Sequence, residues 1–297
     1  MLLVQCLTIA SLLIAIQSEA QIRPLWNDHI SNGLQWNPAY AGSHDAVSLG
    51  LFYRSQWTGF EDGPSSTMLS VHAPMANASM ALGGQLWYDQ IGPVNSTVFE
   101  GFYAWRTVTR QGTFSLGLSG QIANLRQDLE STDAGQAGDP AFSGQSQSIW
   151  TGDAGLGAYY YQDRLMLGAS VLNLLNDRQL MLGGAGMIPL AADYQLRPSV
   201  YGRYVQDGSW QVDAGAHVFF FESFWLGGTW RSNGALAFSV EFVLPQVAAF
   251  GSNRWSAGYN YQVSGRDWRS QAGSSHEAFL AFRFTRDQTR ELGPRFF

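Results

Sequence analysis

The segment TFSLGLSGQIANL, residues 113–125, alternates with a period of two. Phe114, Leu116, Leu118 and Ile122 fall on one side, and Ser115, Gly117, Ser119 and Gln121 on the other. Successive side chains of an extended chain point to opposite faces, so this is a strand with one apolar and one polar face. The pattern recurs. In WQVDAGAHV, Trp210, Val212, Ala214, Ala216 and Val218 oppose Gln211, Asp213, Gly215 and His217. In EAFLAFRF, Leu280, Phe282 and Phe284 oppose Phe279, Ala281 and Arg283. Similar runs begin near Val47, Thr67, Met80, Thr97, Thr151, Arg164, Arg197, Trp225, Ala235 and Arg254. Their lengths approach the roughly 9–11 residues that a tilted membrane strand needs. Beyond the N-terminal segment there is no apolar run of about 18 residues and no helical period.

Composition decides what the apolar face meets. Charged residues make up 13% of the 297, about half the share in an average soluble domain. A soluble β-sandwich with so few charges would have a poorly solvated surface. A mean hydropathy of −0.11 is too polar for a helical membrane protein. Strands with one face in lipid and the other in water reconcile the two values, and 33 glycines and 14% aromatics suit them as well. All 17 basic residues are Arg and the net charge is −6. No basic patch results, which excludes nucleic acid as a partner. The fold predicted is an all-β transmembrane outer-membrane β-barrel of roughly 12–14 antiparallel strands, with short periplasmic turns and longer extracellular loops. The runs above number thirteen; fourteen is favoured because bacterial barrels are usually even-numbered.

Residues 1–20 read as a signal peptide, with an apolar core from Leu7 to Ile16 and a small-x-small cleavage site at Ser18-Glu19-Ala20. The sole cysteine, Cys6, lies inside it, so a mature chain starting at Gln21 has no disulfide framework. Residues 21–46 are expected to form a periplasmic lead into the first strand, residues 286–297 a C-terminal tail, and 21–297 as a whole a single barrel domain in the outer membrane of a Gram-negative bacterium. TRQG, YQDR, VQDGS and RSNG are tight-turn signals; falling after every second strand, they are assigned to the periplasm, Asp207-Gly208 among them. The connections Asn124–Ile149 and Leu174–Gln195 are longer. The first carries Asp128, Glu130, Asp133 and Asp139 among glycines and serines and is a candidate extracellular binding loop.

Motifs for chemistry are sparse. His29, His44, His72, His217 and His276 show no metal-ligand spacing, and G-x-S-x-G, P-loop and G-x-G-x-x-G patterns are missing. No cofactor, metal or catalytic residue is predicted. His217, on a polar strand face, is the one candidate for a barrel lipid hydrolase. Arg54, Gln56, Glu100, Arg106, Asp213, Arg231, Glu241 and Arg283 would be costly in lipid and should point inward, lining a channel or pairing across it. Trp57, Trp87, Tyr88, Trp105, Tyr159 to Tyr161, Phe219 to Phe221 and Trp225 are expected near strand ends, at the level of the headgroups.

QWNPAYAG, residues 35–42, brings a family into view together with FYRSQWTGF. Asn37, Pro38, Ala39, Tyr40, Ala41 and Gly42 are followed by Tyr53, Arg54, Gln56 and Trp57, then Gly63-Pro64, Asp89 and Gly92 in DQIG, and Tyr103 and Arg106 in YAWR. GAYYY, LGASVLNLL, LRPS and GSSHEAFLAFRF, with His276 and Glu277, come later. Over almost the whole mature chain this resembles the PorP/SprF family of outer-membrane proteins of type IX secretion. The resemblance implies a non-enzymatic barrel that supports secretion, or surface attachment, of a large adhesin-like partner, with a link to gliding motility. The implied partners are that secreted protein, type IX secretion components and outer-membrane lipid. A passive diffusion channel and a lipid hydrolase are the alternatives. The NPAYAG knot has two readings. In one it ends pairing at the periplasmic rim, with Tyr40 anchored at the membrane interface and Gly42 bending the chain into the first strand. In the other it docks a periplasmic partner.

Overall fold

In the first strand Leu49, Leu51 and Tyr53 are exposed, and Ser48, Phe52 and Arg54 between them are buried. This alternation continues around the molecule. The computed structural model describes residues 26–27, 29–60, 62–76, 79–127, 147–244, 253–265 and 273–284. The signal peptide, the C-terminal tail and Asp128, Glu130, Asp133 and Asp139 lie outside them. Two short 3-10 turns, Gly33–Gln35 and Pro38–Tyr40, precede the strands: β1 (Val47–Ser55), β2 (Ser65–Pro74), β3 (Met80–Ile91), β4 (Val94–Val108), β5 (Thr113–Gln127), β6 (Gln147–Gln162), β7 (Leu165–Leu172), β8 (Gln179–Gly186), β9 (Ile188–Ala191), β10 (Tyr194–Val205), β11 (Trp210–Phe220), β12 (Phe224–Arg231), β13 (Leu236–Leu244), β14 (Arg254–Val263) and β15 (Ser274–Phe284).

Each strand is antiparallel to its neighbours. β1 pairs with both β2 and β15, and β10 joins β8 to β11, so the sheet closes on itself. β8 and β9 both pair with β10, and only Met187 separates them; they are two parts of one stave. The fifteen strands thus make a closed barrel of fourteen staves, the favoured expectation. Closure removes every sheet edge, as a bilayer demands.

At one end, the turn end, the connections are 75–79, 109–112, 163–164, 192–193, 221–223 and 245–253; β1 starts and β15 finishes there. At the loop end they are 56–64, Gly92-Pro93, 128–146, 173–178, 206–209, 232–235 and 264–273. The longer connections gather at the loop end, which is therefore extracellular, and the turn end is periplasmic. Two expectations need correction. Leu174–Gln195 is not a long connection: β8 and β9 run through it. Gly183, Gly184, Gly186 and Pro189 mask the strand by reading as breakers. One uncounted stave reverses the parity of every later turn. Asp207-Gly208 and the RSNG turn therefore sit at the loop end with the 128–146 connection, not with the TRQG and YQDR turns.

The outward face carries leucines and valines at mid-height. It has exposed rings at both ends: Tyr53, Tyr88, Trp150, Trp210 and Trp230 at the loop end, and Trp105, Phe242, Trp255 and Phe284 at the turn end. Such belts suit the headgroup level. Trp87, Tyr159, Tyr161, Phe219 and Trp225 are not part of them: they are buried in the lumen. Inward parity, set by the residues beside each, put them there.

Candidate functional site

The lumen is filled by the chain's own N-terminal segment. Trp26, Leu34, Trp36, Asn37, Ala39, Tyr40 and Ala41 are all buried, Trp36 and Asn37 completely. The described residues of the lead expected at the periplasmic rim, 26–27 and 29–46, thus lie inside the barrel. Irregular backbone is tolerated at membrane depth only where protein or water satisfies its polar groups, and the NPAYAG residues supply much of that satisfaction. Asn37 caps the Pro38–Tyr40 turn, its Oδ1 accepting from the Ala39 amide at 2.9 Å. Pro38 takes the first position of the turn, where no donor is needed. The Asn37 Nδ2 donates to the carbonyls of Ala158 on β6 at 2.9 Å and Ala169 on β7 at 3.4 Å. Tyr40 is not an interface anchor. Its hydroxyl donates to the Ile30 carbonyl at 3.1 Å and lies 2.8 Å from His44 Nε2. Gly42 donates its amide to His72 Nδ1 at 3.0 Å, with φ +74°.

The wall is shaped to receive this turn. A Cβ at Gly117 would collide with Ala39, one at Gly157 with Asn37 Oδ1, and one at Gly168 would lie 2.5 Å from the Trp36 ring. Glycines facing the lumen on β5, β6 and β7 let the plug backbone touch the wall backbone. Ser170 donates to the Trp36 carbonyl, and Gln85 donates to Asn32 at 3.0 Å. Nearer the turn end Arg106 pairs with Asp45 and donates to the Tyr161 hydroxyl at 2.7 Å.

The opposite wall holds the plug by charge. Arg54 on β1 and Glu277 on β15 are 3.0 Å apart, and the same carboxylate oxygen accepts from the Asn27 amide at 2.9 Å. Asn260 donates to the other oxygen at 3.2 Å, and Gln262 accepts from Arg54 at 3.1 Å. Arg231 grips Asp213 through Nε and Nη2, and Asp213 also meets His29 Nε2 at 3.0 Å. Asn27 joins the two ion pairs, because its Oδ1 accepts from Arg231 at 3.3 Å.

The family-motif residues therefore divide. Asn37, Pro38, Ala39, Tyr40 and Gly42 form the plug, and Arg54, Arg106 and Glu277 hold it. Gln56 accepts from Arg54 at 3.3 Å. Trp57 turns the β1–β2 connection with φ 55°. Asp89 faces the lumen near the loop end, opposite Ser66, and Gly92 makes the tight β3–β4 turn with φ +54°. Tyr103 and His276 lie on the outward face, His276 bonded to the Tyr259 hydroxyl at 2.6 Å. His217 faces the lumen, beside Ser199 and Thr229. Among the described residues no three His, Cys, Asp or Glu side chains gather around a metal position. Trp26, Asn27, His29 and Trp36 were missed from sequence; only for Trp36 was there a signal, the inward Gly168 of β7.

A closed antiparallel barrel with an apolar outer band and rings at both rims defines an outer-membrane β-barrel protein. Among solved structures it is similar to the CymD monoaromatic hydrocarbon channel, with a TM-score of 0.55 and 12% identity over 86% of this chain and 92% of that one. It is also similar to the TodX deltaS2S3 mutant monoaromatic hydrocarbon channel, with a TM-score of 0.50 and 12% identity over 88% and 94%. These likenesses are of fold alone. No curated protein matches the sequence. The model of the type IX secretion system membrane protein PorP/SprF matches residues 18–282, and the chain belongs to that family.

Proposed function

We propose that this barrel is a non-enzymatic, non-conducting platform of the type IX secretion system. In this reading it supports secretion of a large adhesin-like protein or its attachment at the cell surface, in connection with gliding motility. The observation that carries the reading is the filled lumen: a diffusion channel needs a continuous water path, and residues 26–27 and 29–46 occupy it with mostly buried side chains. The hydrolase alternative has its own test: His217 lines a lumen cavity with Ser199, Thr229 and Glu241, and lipid hydrolysis that disappears in His217→Ala would restore it. A platform must meet its cargo outside the lumen, and the 128–146 connection, with its acidic side chains, is the proposed contact. Shortening it from Ser131 to Gly144 leaves the barrel folded, since loop length changes closure entropy only slightly. Surface display of the secreted partner is expected to fall, with the partner released to the medium. Normal display would move the contact to the other loop-end connections. Conductance steps from the purified full chain in a planar bilayer would restore the diffusion channel.

A further inference from the structure

The staves of the barrel are unequal in length. β6 has 16 residues and β7 has 8, and the two pair only from Gln162–Leu165 to Leu156–Val171. On its other side β6 stays paired with β5 as far as Gln147. The upper part of β6 therefore overtops β7 at the loop end. The 173–178 connection covers the first step of this overhang: the Leu174 amide donates to the Ala154 carbonyl at 3.0 Å, and Asn176 Nδ2 to the Gly152 carbonyl at 3.3 Å. Beyond Gly152 no described residue pairs with β6 on that side. Ala154 and Gly152 aim their backbone groups at the open side, so the period of two aims those of Trp150 and Ser148 there as well, while Ile149 and Thr151 turn theirs to β5. Edges that stand in water are blunted by charge, proline or a bulge. Residues 147–151, Gln-Ser-Ile-Trp-Thr, hold neither charge nor proline, and their register with β5 is unbroken. Gln147 to Trp150 are exposed on both faces of the strand. Trp150 is 68% exposed, and Leu175 in the neighbouring connection 74%.

An edge of this kind recognises another extended backbone. β7 and β8 stand directly below it, so a strand paired with residues 147–151 has to rest on top of them. The wall of a second barrel runs down through the bilayer and would collide with those staves. A segment reaching in from outside the cell would not. We propose that the upper edge of β6 receives an extended, uncharged segment of the secreted partner, which adds to the sheet as a strand over about 16 Å. Backbone bonds with Ser148 and Trp150 supply the affinity. Trp150 and Ile149, on opposite faces, pack against alternate side chains of the added strand. The proposal deepens the platform reading and rests on it for the protein to which the segment belongs.

The test uses the purified full-length barrel in detergent. The probes are a fluorescein-labelled peptide alternating Thr and Val, and the same peptide N-methylated at every residue, which keeps the side chains and removes the backbone donors. The plain peptide is expected to bind and the methylated one not. Amide hydrogen exchange at Ser148 and Trp150 is expected to be fast in the barrel alone and to slow when the plain peptide is added. Ser148→Pro removes one edge donor and spares the β5 ladder, because that amide faces away from β5. Binding is expected to fall severalfold, up to about tenfold, with Ser148→Ala unchanged as the control. Heat-modifiable gel migration shows whether the proline variant is folded; if it is not, the two peptides on the unaltered barrel decide. Equal binding of both peptides, binding of neither, or unchanged affinity in the folded proline variant overturns the proposal. Slow exchange at Ser148 and Trp150 without peptide also overturns it, and leaves the edge covered by the 128–146 connection or by a second copy. The assay contains no secreted protein, so its failure removes the edge site and leaves the surface-display experiment to judge the platform.

Discussion

One plug is held by two walls of opposite character. Against β5 to β7 it is held by shape: inward glycines, backbone carbonyls and a capped turn, with neutral hydrogen bonds throughout. Against β11 to β15 and β1 it is held by charge, through Arg54–Glu277 and Arg231–Asp213–His29. On β5 to β7 the shaped wall holds the plug without an ion pair but has no room for an added methyl group. The charged wall has room but cannot lose one member of a pair, because the other is then buried alone. Positioning a short irregular segment in a wide lumen uses both: close packing fixes its depth, and ion pairs fix which side it faces.

The largest expected effect breaks the charged wall. Glu277→Gln strands the buried Arg54 and should cost about 3–5 kcal/mol, read as a lowered urea midpoint of the barrel in micelles. Replacing both Arg54 and Glu277 by Met should recover most of it; a double variant as weak as the single one would mean that packing, not charge, governs this side. Next comes the shaped wall. Gly157→Val should cost about 1–3 kcal/mol through overpacking, and ion conductance should appear as Asn37 is displaced. Gly202→Val is the control, since a Cβ there meets nothing within 4 Å, and its effect should stay within about 0.5 kcal/mol. Asn37→Ala is smaller, about 0.5–2 kcal/mol for a lost cap. It should speed hydrogen exchange at the Ala39 amide and leave the Asp213–Arg231 ladder protected; loss of protection in both would show the walls to be a single cooperative unit. The smallest perturbation concerns topology alone. Epitopes inserted near Gly138 and at Gly208 should both be labelled on intact cells, and labelling at only one would break the stave count.

The barrel was legible because its rule is local. Parity along β5, β11 and β15 assigned each side chain a face without knowledge of its neighbours, and Arg54, Glu100, Arg106, Asp213 and Arg231 are buried inward as parity required. The plug was not legible, because its partners are remote in sequence: Asn37 meets Ala158 and Ala169, and Asn27 meets Glu277. A non-periodic segment offers no parity, so NPAYAG could be recognised as special without revealing where it sits. The stave at β8 and β9 was lost for a related reason: glycines that serve close approach resemble glycines that break a strand, and Gly183 faces Tyr201 and Trp36.

Glu277 lies on the last strand and serves as acceptor for the first strand, through Arg54, and for a residue that precedes every strand, the Asn27 amide 250 positions away. The seam of the cylinder and the mooring of its stopper are thus one carboxylate. During assembly neither Arg54 nor Asn27 has that acceptor until β15 docks on β1, so zipping the last hairpin and seating the N-terminal segment complete each other. Contacts of such long sequence separation form late. A cylinder sealed around nothing would leave Glu277 incompletely satisfied at its own joint, which gives the filled form an advantage at the moment of closure. Closing the cylinder and filling it are thereby favoured together.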